Sequence, residues 1–118
     1  MADDNETVFG KIIRGEIDAD VVYEDDRCMA FRDMNPQAPT HALVVPKTHV
    51  VNLYDANEED EELLGHLMLA AREVAEQEGL DEDEGFRLVV NNGSGVGQSV
   101  FHLHLHVLGG RSFDWPPG

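Results

Sequence analysis

One segment near the C-terminus of this 118-residue chain constrains its fold more than any other. Within residues 101–108, histidine occupies positions 102, 104 and 106, and an aliphatic residue occupies each position between them. Successive side chains of a β-strand point to opposite faces, so this period of two predicts a strand with one aliphatic and one imidazole face. We expect the aliphatic face to pack against a helix and the imidazole face to line a site.

The rest of the chain supplies two helices and four more strands. Apolar residues recur at steps of three and four within residues 57–84, which predicts one long amphipathic helix that stops at Gly79. Asp55 and Glu58 have the spacing of a capping box at its start. Residues 9–15 are typical of a short helix. The predicted strands are residues 21–24, 28–32, 42–45, 86–91 and 101–108.

This order of elements predicts an α+β fold with a five-stranded, mostly antiparallel sheet, one long helix and one short N-terminal helix. Asp25 and Asp26 lie between the first two strands and fit a hairpin turn. The chain has the length of one domain, which we place at residues 1–118. A sheet with so few helices keeps an uncovered face or edge, which favours a homodimer.

The charge balance argues against several classes of partner. The chain has 24 acidic and 8 basic residues, a formal net charge of −16. Nucleic-acid backbones and anionic membrane surfaces are bound through basic residues, so we expect neither partner. No apolar run reaches the about 18 residues of a membrane span, and the acidic residues 1–6 are unlike a signal peptide. The single cysteine, Cys28, fits a reducing compartment and a buried position, and we predict a cytoplasmic protein.

Two chemistries use three imidazoles on one strand face: ligation of Zn²⁺ and nucleophilic attack on phosphorus. A loop at residues 91–99, with glycine at positions 93, 95 and 97, lies directly before the histidines. Alternating glycines let backbone N–H groups approach an anion closely. This placement favours phosphorus chemistry. A zinc-binding protein is the alternative, and the absence of a carboxylate or thiolate next to the three histidines disfavours it.

The chain resembles the histidine triad (HIT) family. Residues 102–108 follow that family's pattern, in which three histidines alternate with apolar residues and an apolar pair closes the motif. Other segments resemble its Hint branch, the histidine triad nucleotide-binding proteins. Those segments are residues 9–14, 23–26, 36–41, 46–49, 97–99 and 115–118.

The resemblance implies a purine nucleoside phosphoramidase. Such an enzyme cleaves the P–N bond of adenosine or guanosine 5′-phosphoramidates, uses no cofactor or catalytic metal, and forms a homodimer with a continuous ten-stranded sheet. The resemblance implies that His104 is the nucleophile and carries the nucleotidyl intermediate. It further implies that His102 and His106 flank the phosphate, that His41 completes the histidine set, and that Ser99 lies near the leaving amine. The donor of the amine's proton is left open among His106, His41 and Ser99.

The expected substrate contacts fall into three groups. The resemblance assigns Asp33 to the ribose hydroxyls and Met34 to the nucleoside, although Asp33 also fits a turn. Phe9, Ile12 and Phe31 either line a base pocket or pack in the core. The resemblance assigns the phosphate side to Asn91, Gly97, Gln98 and Ser99.

Two rival functions stay open at this point. One is a related hydrolase of dinucleoside polyphosphates. The other is a nucleotide-binding module with little turnover that acts through protein partners.

The excess negative charge predicts that salt stabilises the protein. Ions screen repulsion between surface charges, so we expect the melting temperature to rise steadily from low to molar NaCl. Scanning calorimetry at a series of NaCl concentrations measures this, with KCl as a control that should act equally. A melting temperature that does not depend on salt would contradict the prediction.

Overall fold

A computed structural model of the chain describes residues 7–118. The expectation for the acidic residues 1–6 lies outside the described residues. The elements are α1 (Val8–Ile13), β1 (Val21–Glu24), β2 (Cys28–Arg32), β3 (Thr40–Pro46), a 3₁₀ turn (Glu58–Asp60), α2 (Glu61–Gln77), β4 (Arg87–Val89), a second 3₁₀ turn (Ser94–Val96) and β5 (Leu105–Gly109). Neither α1 nor α2 combines the length and the apolar character of a membrane-crossing helix, and no other described helix does.

The five strands form one antiparallel sheet in the order β1-β2-β3-β5-β4. This confirms the predicted α+β fold with its five-stranded sheet, one long helix and one short helix. The hairpin is also confirmed, because β1 pairs with β2 and an Asp25 carboxylate oxygen accepts hydrogen bonds from the N–H groups of Arg27 and Cys28, at 2.8 and 2.9 Å. The central strand β3 is buried along its whole length.

Each face of the sheet carries its own apolar core. On one face, α2 packs Leu67, Ala71 and Val74 onto the sheet, and Cys28 is buried among them as predicted. On the other face, α1 places Phe9 over side chains of β2 and β3, including Phe31. The alternation along β2 and β3 therefore divides their residues between an α2 face and an α1 face.

The predicted last strand, residues 101–108, is wrong at its start, because β5 begins only at Leu105. Leu105 pairs with Val44, so the continued register would bring Leu103 opposite Pro46, which cannot donate to a ladder. The Leu103 N–H instead donates to the Val50 carbonyl oxygen at 2.6 Å. The alternation itself persists, since Leu103, Leu105 and Val107 all lie in the core under α2.

The long helix stops at Gly79 as predicted, but its first turn is not α-helical. It begins as a 3₁₀ turn, and α2 ends at Gln77 because Gly79 takes a left-handed φ of +83°. The chain then turns again, with the Gly85 N–H donating to the Asp81 carbonyl oxygen. Smaller differences separate the predicted and observed bounds of α1, β3 and β4.

The predicted capping box is also displaced. The Asn57 side chain accepts from the Glu59 N–H, and the Asp60 side chain accepts from the Asn57 N–H. Asp55 instead accepts a hydrogen bond from the Val51 N–H, which stabilises the turn before the helix. The cap lies two residues later than predicted because Asp55 belongs to this earlier turn.

Substitution of two glycines by alanine tests how the backbone conformation and the surrounding space limit side chains at these positions. Gly110 follows β5 with φ +88°, and an added Cβ would lie 2.8 Å from the Pro39 Cβ. We expect Gly110→Ala to lower the free energy of unfolding by about 2 kcal/mol or more, from left-handed strain and overpacking. Gly65→Ala is the control, since it lies in α2 with open space around it, and we expect it to stabilise by about 0.5–1 kcal/mol. Urea unfolding measures both free energies, and equal effects of the two substitutions would contradict the prediction.

Candidate active site

Five imidazoles follow one another on the α1 face of the sheet. Ring centroids lie 5.0 Å apart for His49 and His102, 5.0 Å for His104 and His106, and 5.2 Å for His106 and His41. The Phe9 ring joins the two halves of this histidine row through edge-to-face contacts, with its centroid 6.2 Å from that of His102 and 5.0 Å from that of His104. The row therefore brings together all three alternating histidines of the sequence motif.

His104 is oriented by the backbone. Its Nδ1 lies 2.7 Å from the His102 carbonyl oxygen, which can only accept, so Nδ1 carries the proton. In the neutral ring, Nε2 is then an unprotonated nitrogen with a free lone pair. Burial lowers the pKa of His104, which favours that neutral state.

His102 has both ring nitrogens in hydrogen bonds. Nε2 donates to the Pro46 carbonyl oxygen at 2.8 Å, and Nδ1 lies 3.4 Å from the Thr7 hydroxyl. The side chain is fully buried, and burial lowers its pKa. His102 therefore anchors the row to β3 and to the N-terminus of α1.

His41 and His106 form an ordered pair. The Gln37 N–H donates to Nδ1 of His41 at 3.0 Å, so the proton of the neutral ring is on Nε2. That nitrogen lies 2.9 Å from Nδ1 of His106 and 3.4 Å from an Asp33 carboxylate oxygen. Because Nδ1 of His106 accepts this proton, Nε2 of His106 must carry its own.

The Nε2–H group of His106 is the unsatisfied donor of the site. It is buried and has no hydrogen-bond partner within the described part of the chain. A buried donor without an acceptor is costly unless a ligand supplies one. Burial, followed by the nearby His104 and His41, lowers the pKa of His106 to about 4, so the ring stays neutral at pH 7.

A cavity of about 520 Å³ opens between α1 and the sheet beside these rings. Its wall is mostly apolar, and its polar groups are three carboxylates, one guanidinium, one hydroxyl and two imidazoles. The lining residues are Val8, Phe9, Ile12, Ile17, Asp18, Ala19, Asp20, Phe31, Arg32, Asp33, Met34, Leu43, Ser99, Val100, His104 and His106.

The structure brings most of the candidate residues to this cavity. Eight of them line it: Phe9, Ile12, Phe31, Asp33, Met34, Ser99, His104 and His106. Five are not among its lining residues: His41, His102, Asn91, Gly97 and Gln98. His41 and His102 reach the site through the neighbouring histidines.

The glycine loop differs from the expected phosphate cradle. The N–H groups of Val96, Gly97 and Gln98 donate to carbonyl oxygens of Gly93 and Ser94 within the loop. The Gln98 side chain already has several partners: its Oε1 accepts from the Gly93 N–H and from the Asn52 side-chain amide, and its Nε2 donates to the carbonyl oxygens of Val51 and Val100. These residues hold the loop closed and thereby place Ser99 at the cavity.

Asp33 is a turn acid that also faces the histidine row, and its assignment to the ribose hydroxyls stays a prediction. One carboxylate oxygen accepts from the Asn35 N–H at 2.8 Å, as a turn acid does, and the other faces His41. Met34 beside it is 97% exposed and forms the rim of the cavity.

Asp33, His41 and His106 also place one ligand atom each within 4.8 Å of one another, so this trio has the spacing to hold a cation.

Several lining residues were not predicted. Leu43 follows His41 by two positions in β3, and that alternation is the signal that finds it. Ile17 and Val100 lie in irregular segments between elements, where no periodicity marks them. Their placement depends on how α1 and the glycine loop pack on the sheet.

This sheet, with its histidine row facing α1, defines the class of protein. The HIT domain family matches residues 14–113, and the chain belongs to that family. An uncharacterized HIT-like protein of Synechocystis sp. is 60% identical over 118 residues, covering all of both chains. The resemblance is thus confirmed at the level of the family, and the Hint branch stays a prediction.

Solved structures agree with this assignment. A HIT family hydrolase of Legionella pneumophila has 53% identity and a TM-score of 0.90, with 94% of this chain and 98% of that chain covered. A histidine triad nucleotide-binding protein of Candida albicans has 28% identity and a TM-score of 0.81, with 96% and 85% covered. The hydrolase-like fold of the family is therefore established for this chain.

The low pKa of His106 predicts how stability depends on pH. Between its ordinary value of 6.5 and about 4, the unfolded chain protonates this ring while the folded chain does not. The free energy of unfolding should therefore fall as the pH drops through this window. Urea unfolding from pH 7.5 to 4 measures it, and His106→Asn should lose part of the dependence. An identical pH profile for the variant would contradict the prediction.

Proposed function

We propose that this HIT-family protein hydrolyses purine nucleoside 5′-phosphoramidates through a nucleotidyl intermediate on His104. One observation carries the proposal. Nδ1 of His104 is committed to the His102 carbonyl oxygen, so Nε2 is a neutral nucleophile at a nucleotide-sized cavity. The His102 carbonyl also stabilises the positive charge that the ring acquires when Nε2 bonds to phosphorus.

The cavity suits a purine nucleotide by size and by polarity. Its volume of about 520 Å³ lies within the range of small-molecule sites. Phe9, Ile12 and Phe31 form an apolar wall for a flat base, and Asp33 at the rim can accept hydrogen bonds from ribose hydroxyls. The nucleotide-binding relative of Candida albicans supports this class of ligand.

The first step transfers the nucleotidyl group to the protein. Nε2 of His104 attacks phosphorus, the P–N bond breaks, and its electron pair leaves with the nitrogen, which takes up a proton and departs as an amine. The Nε2–H of His106, which lacks a partner among the described residues, donates to a phosphoryl oxygen and stabilises the developing charge. A phosphoryl oxygen is the acceptor that this buried group needs.

Ser99 and His106 are the cavity-lining groups among the three considered for the amine's proton. The Ser99 hydroxyl can pass its proton to the nitrogen while it takes one up from solvent, so the neutral His106–His41 pair keeps its protons. In the second step, water attacks phosphorus and gives up a proton to solvent, and Nε2 of His104 leaves with the electron pair of the P–N bond. The products are a nucleoside monophosphate and the free enzyme.

The assembly proposed for this activity is a homodimer of single-domain chains. An edge strand, β4, has only one neighbour in the sheet, β5. Such an edge has backbone groups available for pairing with a second copy. This supports the proposed continuous ten-stranded sheet.

The His104→Asn variant tests the nucleophile. We expect it to bind AMP with nearly wild-type affinity and to lose adenosine 5′-phosphoramidate turnover by on the order of 10³-fold or more, because it has no nucleophilic nitrogen. Coupled detection of released amine measures turnover, and calorimetry measures binding. His66→Asn is the matched control in α2, away from the cavity, and should stay active. Wild-type turnover by His104→Asn would overturn the proposal.

Substrate comparison separates the rival functions. We expect adenosine 5′-phosphoramidate to be turned over with a higher kcat/KM than diadenosine polyphosphate. The reverse ranking would favour the dinucleoside polyphosphate hydrolase. Tight AMP binding with no turnover of either compound would favour a nucleotide-binding module.

A further inference from the structure

We propose that Asp25, Cys28 and His66 form a binding site for a divalent metal ion such as Zn²⁺ or Co²⁺, on the α2 face of the sheet. One ligand atom from each residue, a carboxylate oxygen, the thiol sulfur and an imidazole nitrogen, lies within 4.8 Å of the other two. Asp25 and Cys28 come from the β1–β2 hairpin, whereas His66 comes from α2. The site would join the hairpin to the long helix.

The set of donors selects the kind of metal. A thiolate, an imidazole and a carboxylate together favour Zn²⁺ or Co²⁺ over the hard cations Mg²⁺ and Ca²⁺, which prefer oxygen ligands alone. Three protein ligands leave one tetrahedral position for water. The Cys28 side chain is fully buried, but the Asp25 and His66 side chains are 23% and 28% exposed. The metal and its water would therefore enter from the side of these two residues.

The surrounding contacts already hold the carboxylate in place. One oxygen of Asp25 accepts from the N–H groups of Arg27 and Cys28, and the other accepts from the Tyr23 hydroxyl at 2.8 Å. Outer contacts of this kind orient metal ligands and raise affinity. They fix Asp25 facing His66 Nε2 at 2.7 Å, so only small side-chain shifts are needed to admit an ion between them.

Metal binding changes which protons the three ligands carry. In the metal-free protein, the Nε2–H of His66 donates to Asp25, so the neutral ring carries its proton on Nε2. The metal replaces that proton, which moves to Nδ1 through solvent, and it also displaces the thiol proton of Cys28. Binding thus releases one proton for each metal ion, and the site goes from one negative charge to a neutral complex of M²⁺ with one carboxylate and one thiolate.

This site is separate from the histidine row. Cys28 lies in the core under α2, whereas His104 and His106 line the cavity under α1 on the other face. A metal at Asp25, Cys28 and His66 would cross-link two elements and would take no part in nucleotide chemistry. The proposal stands independently of the proposed phosphoramidase activity.

The single cysteine of the chain makes the test specific. We expect Co²⁺ added to the reduced, metal-free full chain to produce a thiolate-to-cobalt charge-transfer band that saturates at one ion per chain, and Zn²⁺ to abolish it by competition. Only Cys28 can provide the thiolate. Cobalt bound by Asp33, His41 and His106, or by other histidines, gives no such band.

Matched variants identify the other two ligands. We expect His66→Asn and Asp25→Asn each to weaken Co²⁺ binding by at least about tenfold, and His104→Asn, the same change in the histidine row, to leave the band unaltered. Cys28→Ser should abolish the band while circular dichroism reports a folded protein. Absence of the band in the wild-type chain would overturn the proposal, as would equal affinity in wild type and a folded His66→Asn variant.

Discussion

The packing of alternate aliphatic residues under α2 is the interaction on which the site depends. Leu103, Leu105 and Val107 lie in that core, and their burial leaves the intervening histidines on the opposite face. On that opposite face, Phe9 of α1 packs against His104, and burial lowers the pKa values of His104 and His106. The packing under α2 therefore determines where the imidazoles lie, and their burial on the α1 face keeps them neutral.

Backbone groups then determine which nitrogen of each ring is reactive. The His102 carbonyl oxygen orients His104, the Pro46 carbonyl oxygen orients His102, and the Gln37 N–H orients His41. None of these partners depends on the identity of a side chain. The site is thus built largely from the path of the main chain, which explains why its geometry follows so directly from the sheet.

The sequence predicted those features that rest on local periodicity. The order of elements, the antiparallel sheet and the division of β5 between two faces follow from alternation and helical spacing. The start of β5 at Leu105 was missed because it depends on Pro46, a residue distant in sequence. The cavity wall at Ile17 and Val100, and the closed loop held by Gln98, depend on contacts between elements that no short pattern encodes.

The strand order also has a consequence for how the protein matures. β5 inserts between β3 and β4, so residues near position 41 and residues near position 106 must meet before the histidine row exists. Closing so long a stretch of chain is entropically slow and comes late in folding. During synthesis, β5 leaves the ribosome after the other four described strands, so the pair of His41 and His106 can form only after β5 has emerged.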